Sequence, residues 1–166
     1  MPQYETKRRI RHSATNMFEL VADIERYPEF VPLCEKLVIT SRETDGTEAN
    51  NENIVATMTV AYKMFRESFT SRVELDRENQ IIRVKYLDGP FSFLENRWAF
   101  NASGETSCEI DFKISYEFRS KMLGTLMGAV FDRAFRKFAA AFETRADKIY
   151  GKPSVANNAS PDSGKG

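Results

Sequence analysis

Histidine, cysteine and tryptophan are nearly missing from this chain: one His, two Cys and one Trp in 166 residues. Net charge is missing altogether, with Lys+Arg 24 against Asp+Glu 24. Each scarcity removes a class of function. A zinc site needs Cys and His ligands at close spacing, whereas Cys34, Cys108 and His12 stand apart with no CxxC, so no metal is expected. Two isolated thiols suit a reducing compartment and read as small buried hydrophobes. His12 lies in the basic run "KRRIRH", where it reads as a surface residue, and no nucleophile–base pair forms around it. No catalytic residue is therefore assigned. A balanced charge gives no overall field for a polyanion, which argues against DNA as a partner. No apolar run reaches the roughly 18 residues of a membrane span. The opening "MPQYETKRRI" also lacks the apolar stretch of a secretory signal, so a cytoplasmic protein is expected.

What remains is an ordinary globular composition, 42% hydrophobic and 29% charged, sufficient for one domain with a real core. Tyr4 to His12 reads as an edge strand, and Ser13 offers an N-cap. The apolar stripe Met17, Phe18, Leu20, Val21, Ile24 predicts a helix ending near Tyr27, before Pro28. Strands follow over Leu37–Thr44, Ile54–Tyr62, Phe65–Leu75, Ile82–Tyr86 and Phe91–Asn101, separated by turn signals such as "DGTEANN" and Asp88-Gly89-Pro90. The clearest is "SCEIDFKISYEF", whose strict alternation gives one dry and one wet face. From Lys121 to about Tyr150 there is no proline, and Leu123, Met127, Val130, Phe131, Phe135, Phe138 and Phe142 recur at helical spacing. At 1.5 Å per residue this rod is on the order of 45 Å long. Residues 1–150 form the domain; "GKPSVANNASPDSGKG" (151–166) has almost nothing apolar and is expected to be a disordered tail.

The fold class is α+β: a strongly curved antiparallel sheet of about seven strands wrapped around one long C-terminal helix, with two short helices after the first strand. Two places invite a functional reading. Gly124 and Gly128 lie inside the long helix, where Gly costs up to about 1 kcal/mol against Ala; either a neighbour approaches closely or room is left for a ligand. The segment "RYPEFVPLCEK" is stiff and greasy, and sits between the first helix and the sheet.

Four segments, "SATNMFELVADIERYPEFVPLC", "DGPFSFLENRWAF", "CEIDFKISYEF" and "FDRAFRKFAAAFETRADKIYG", together resemble the coenzyme Q-binding branch of the START-like, helix-grip superfamily. The resemblance runs through nearly all of residues 4–151. Bacterial members carry the label ribosome-association toxin, and broader relatives that of polyketide cyclase. The resemblance implies a non-catalytic carrier with no cofactor, holding an isoprenoid quinone such as ubiquinone in a tunnel between sheet and helix. Such a carrier supports respiratory electron transport and quinone biosynthesis. It would touch the inner face of the respiratory membrane transiently, through "KMLGTLMGAVF", "YPEFVPL" and nearby basic residues. The tunnel residues expected on the sheet are Met58, Val60, Phe69, Val73, Val84, Tyr86, Leu94, Trp98, Ile114 and Tyr116. On the helix they are Leu123, Met127, Val130 and Phe131, and at one end Phe30, Val31 and Leu33. Tyr86, Asn96, Arg97 and Tyr116 are candidates for the quinone head. Phe30→Ala is expected to weaken lipid uptake more than folding. The alternative partner is the large ribosomal subunit, contacted through "KRRIRH"; a cyclase ranks last, because the inward faces offer almost no acid or base.

Overall fold

Ser13 and Ser120 set where both helices begin. In the computed structural model, which describes residues 3–46 and 51–153, Ser13 Oγ accepts from Asn16 N at 3.0 Å and Ser120 Oγ from Leu123 N at 3.2 Å. These bonds satisfy backbone donors that a helix start leaves unpaired. The strands are β1 (Gln3–Ile10), β2 (Cys34–Thr44), β3 (Glu52–Tyr62), β4 (Phe65–Asp76), β5 (Ile81–Asp88), β6 (Phe91–Gly104) and β7 (Ser107–Phe118). The helices are α1 (Ala14–Ala22) and α2 (Lys121–Tyr150), with a 3₁₀ turn at Ile24–Glu29. Four residues of the expected turn, 47–50, and residues 154–166 of the expected tail lie outside the described residues.

All seven strands pair antiparallel in the order β1-β7-β6-β5-β4-β3-β2, and the sheet grips α2. This is the helix-grip architecture. The first helix is shorter than its stripe predicts. It ends at Ala22, and Ile24 to Glu29 tighten into the 3₁₀ turn that contains Pro28.

The sheet splits at one end. The β5–β6 ladder stops at Lys85↔Glu95; beyond it β5 pairs only with β4, and β6 only with β7. Phe91 closes the split. Its ring is fully buried, stacks on Phe118 at 4.8 Å and meets Phe69 and Tyr86 edge-on. Its N–H donates to Tyr86 Oη at 3.0 Å. Gly89 makes the crossing possible: at φ +146°, any Cβ there would lie 2.5 Å from Phe69 Cβ and 2.9 Å from Phe69 Cα.

The two halves of α2 are held differently. Its C-terminal half carries the polar ties: Glu143 to Arg8 (2.7 Å), Asp147 to His12 (2.7 Å), Arg145 to Glu29 (2.5 Å), and Tyr150 Oη to Asn16 O (3.2 Å). Among the described residues, no such tie joins residues 121–130 to the sheet, and Met122 and Leu126 are 74% and 67% exposed. His12 is a correction to the surface reading: it is 6% exposed, covered by α2 and Tyr150, and hydrogen-bonded to Asp147. The basic run hides it because β1 ends beneath the last turns of α2.

Candidate functional site

Between sheet and helix lies a cavity of about 100 Å³. It exists where small side chains stand among large ones: Ala56 and Ser71 pair across β3 and β4, and Ala134 lines the cavity from α2. Ten of the expected residues line it: Leu33, Met58, Val60, Phe69, Val73, Val84, Leu94, Trp98, Ile114 and Phe131.

The other seven do not. Leu123, Met127 and Val130 lie N-terminal to Phe131, and at 1.5 Å per residue Leu123 stands about 12 Å along the helix from it. Tyr86 is turned to the sheet split by its bond with Phe91 N. Tyr116 packs edge-on against Phe135 at 5.1 Å, behind the residues that line the cavity and not among them. Phe30 packs edge-on against Phe142 at 5.0 Å, and Arg145 lies over its ring at 4.9 Å. Val31 is buried in the core beside it. The greasy segment thus reaches the cavity through Tyr27, Pro32 and Leu33, and not through Phe30 and Val31. Leu33 adopts φ +69°, and its carbonyl accepts from Ala61 N at 3.0 Å, which ties the segment to the end of β3.

Several lining residues were absent from the expected set. Phe135, Phe138 and Phe142 continue the helical spacing, and Ile82, Ser71 and Asn96 continue the period-2 alternation of their strands. That alternation contains the signal. Ser71 is a polar residue on a face otherwise dry, which is what masked it, whereas Asn96, expected only as a head contact, does reach the lining. Ile24, Leu37 and Phe91 complete the walls.

The polar groups here are few. Asn96 is engaged: its Oδ1 accepts from Trp98 Nε1 at 3.0 Å, and its Nδ2 donates to Lys113 O at 2.9 Å. Tyr27 Oη donates to Val21 O at 2.5 Å, and burial holds its phenol far above the usual range. Ser71 is 5% exposed, and its Oγ has no hydrogen-bond partner. A buried polar atom without a partner needs an explanation. Arg97, proposed as a head contact, is instead exposed on the outer face, because it alternates with the inward Asn96 and Trp98.

Among the described residues, the lining holds no carboxylate, imidazole or cation, and no cluster of His, Cys, Asp and Glu is placed to hold a metal. Cys34 and Cys108 lie off the lining, and burial pushes both thiols up to about 11. Tyr116 is pushed up to about 12, first by burial and then by the Asp132 charge. The cavity therefore offers dispersion, burial and one hydroxyl. Neither glycine of α2 is in forced close contact. A Cβ at Gly124 would sit 3.8 Å from Phe118, and one at Gly128 would meet nothing within 4 Å.

Residues 10–143 match the family described as polyketide cyclase/dehydrase and lipid transport. The chain is 30% identical over 152 residues to the ribosome association toxin RatA of Vibrio cholerae, covering 92% of this chain and 100% of that one. It is 30% identical over 157 residues to the mitochondrial coenzyme Q-binding protein COQ10 homolog B of Xenopus laevis, covering 92% of this chain and 61% of that one. An 18 kDa protein of Caulobacter crescentus, solved in solution, matches with a TM-score of 0.73 at 32% identity, covering 91% of this chain and 99% of that one.

Proposed function

This chain belongs to the polyketide cyclase/dehydrase and lipid transport family, and we propose that it carries a neutral hydrophobic ligand of the isoprenoid-quinone class between sheet and helix. The observation that supports this reading is the cavity itself, apolar except for Asn96 and Tyr27, both engaged in hydrogen bonds, and the unpartnered Ser71 hydroxyl. Burying one five-carbon isoprene unit at ~0.8 kcal/mol per carbon gives roughly 4 kcal/mol. Two units approach the ~8 kcal/mol of a micromolar complex. A bilayer offers a tail nearly the same apolar surroundings, so selection falls to the head group, where Ser71 Oγ can donate to a carbonyl.

At about 100 Å³ the cavity is smaller than the roughly 300–1,000 Å³ of sites that enclose drug-sized ligands. Loading then requires movement, and the half of α2 without polar ties to the sheet is the part free to lift. Met122 and Leu126 on that half, with Met64 on the β3–β4 turn at 98% exposed, form the apolar contact such a carrier would press into a membrane. Phe65, next to Met64, meets Phe131 of α2 at 6.1 Å, which puts turn and helix together, and Lys63 and Lys121 supply charge for anionic lipid. No described helix is long and apolar enough to cross a membrane. In this reading the protein performs no chemistry on its ligand.

Mass spectrometry of lipid extracted from protein purified from its own membranes tests the proposal. Co-purifying quinone, and saturable uptake of added ubiquinone, are expected. Absence of both refutes it.

A second reading has its own support: the relative from Vibrio cholerae is named for ribosome association and matches this chain over its full length. Under it the protein binds the large ribosomal subunit. Failure to co-sediment with that subunit in a low-salt gradient refutes it, since electrostatic contacts are strongest there.

A further inference from the structure

Two residues of the basic run expected to meet a ribosome are paired with carboxylates of the long helix, and two more face carboxylates of the neighbouring strand. Arg8 is bonded to Glu143 and His12 to Asp147, while Lys7 faces Asp111 and Arg9 faces Glu109 across the β1–β7 ladder. Elsewhere the register does the opposite. Arg83 of β5 faces Arg97 of β6, and Arg97 faces Lys113 of β7, so three exposed cations stand in one row across three strands. Like charges directly opposite one another destabilise a sheet. Among the described residues, none of the three is in an ion pair. Glu74, opposite Arg83, is taken by Lys85 at 3.1 Å, and the further carboxylates near the row are Glu5, opposite Lys113, Glu95 in one adjacent row and Asp111 in the other. The row floors a groove of about 270 Å³, lined also by Val84, Lys85, Glu95, Asn96 and Ser115, of which Val84 and Asn96 border the inner cavity as well.

We infer that this groove binds the phosphodiester backbone of RNA. It rests on the ribosome reading for the choice of RNA over other polyanions. At about 4.8 Å between strands the three cations span about 10 Å, over which a nucleic-acid strand presents roughly three phosphates. A row of point charges reads the backbone and carries no base specificity. A lipid surface fits less well, because the groove presents no large exposed apolar side chain to insert, whereas Met64, Met122 and Leu126 are elsewhere.

The test uses the full chain and a fluorescein-labelled RNA stem–loop, followed by anisotropy between about 50 and 200 mM KCl. Arg83→Glu/Arg97→Glu/Lys113→Glu is expected to weaken binding at least about tenfold at the low-salt end. It should also flatten the slope of log K against log salt by about two to three, since each phosphate contact contributes about 0.7–0.9. A matched control, Lys7→Glu/Arg9→Glu/Arg11→Glu, is expected to stay within about threefold of the parent. If the charge reversal impairs folding, the triple Gln variant carries the comparison. The inference is overturned if the parent chain does not bind the RNA, or if both triples weaken it equally. Binding to phosphatidylglycerol vesicles or to an acidic protein with the same dependence on the groove also overturns it. Co-sedimentation with ribosomal subunits that survives the groove variants overturns the groove while leaving the ribosome reading intact.

Discussion

Ser71→Ala separates binding from folding. Ser71 Oγ is buried beside an apolar cavity and bonds to no other protein group. An unsatisfied buried hydroxyl costs about 1–3 kcal/mol relative to its hydrated state. Alanine removes that cost and deletes only one oxygen, so the variant should be more stable by about 1–2 kcal/mol. For a domain of this size each kcal/mol moves Tm by roughly 2–4 °C. Urea denaturation, with the midpoint rising and the m-value unchanged, reads the gain directly. Ligand binding should change in the opposite direction. A neutral hydrogen bond contributes about 0.5–1.5 kcal/mol, so affinity for a quinone should fall roughly two- to tenfold while that for a polyprenyl hydrocarbon without carbonyls stays the same. Loss of stability in Ser71→Ala would mean that the hydroxyl is already satisfied. Equal weakening for both ligands would mean that Ser71 shapes the cavity without touching the head group.

Three other perturbations probe what surrounds the site. Gly89→Ala must place its Cβ 2.5 Å from Phe69 Cβ and 2.9 Å from Phe69 Cα at a φ of +146°; since backbone cannot yield, a loss of about 3 kcal/mol or more is expected in urea titration, and a loss under about 1 kcal/mol contradicts the close crossing. Phe30→Ala should cost about 2 kcal/mol, less than a fully buried Phe, and leave quinone uptake unchanged, because its ring packs behind Phe142 and under Arg145 and does not itself line the cavity; an uptake defect at full stability would restore the segment as a gate. Glu52 is buried, which opposes its charge, but hydrogen bonds from Arg42 and Arg77 prevail and hold its carboxyl below the usual range. A depressed carboxylate pKa adds stability above the unfolded value, lost as pH falls through the folded one, so Glu52→Gln should flatten the acid side of the stability–pH curve. An acid limb identical to that of the parent chain refutes this account.

The same elements show how far the sequence reaches. The bounds of α2 are legible because proline is absent between Lys121 and Tyr150, Ser120 stands at the start, and the apolar spacing is unbroken. The inward face of β7 is legible because alternation is a backbone property of strands. The cavity is less so. Tyr116 and Val84 look alike by period, yet only Val84 lines the hollow; the difference is depth along α2, which no local pattern carries. Ser71 sits at an inward position of its strand, but assigning it to a wall requires knowing what lies opposite.

Charge shows the same division. The run "KRRIRH" is the most basic stretch of the sequence, and folding ties its Arg8 and His12 to Glu143 and Asp147, some 135 residues away. Arg83, Arg97 and Lys113 are unremarkable in sequence and become one row only through register. Sequence alone determined the elements, their order and which faces are dry, because those depend on backbone periodicity and nearby caps. Tertiary structure decided which dry residues bound a space and which charges stay unpaired, because both are set by what arrives from a distant strand or helix.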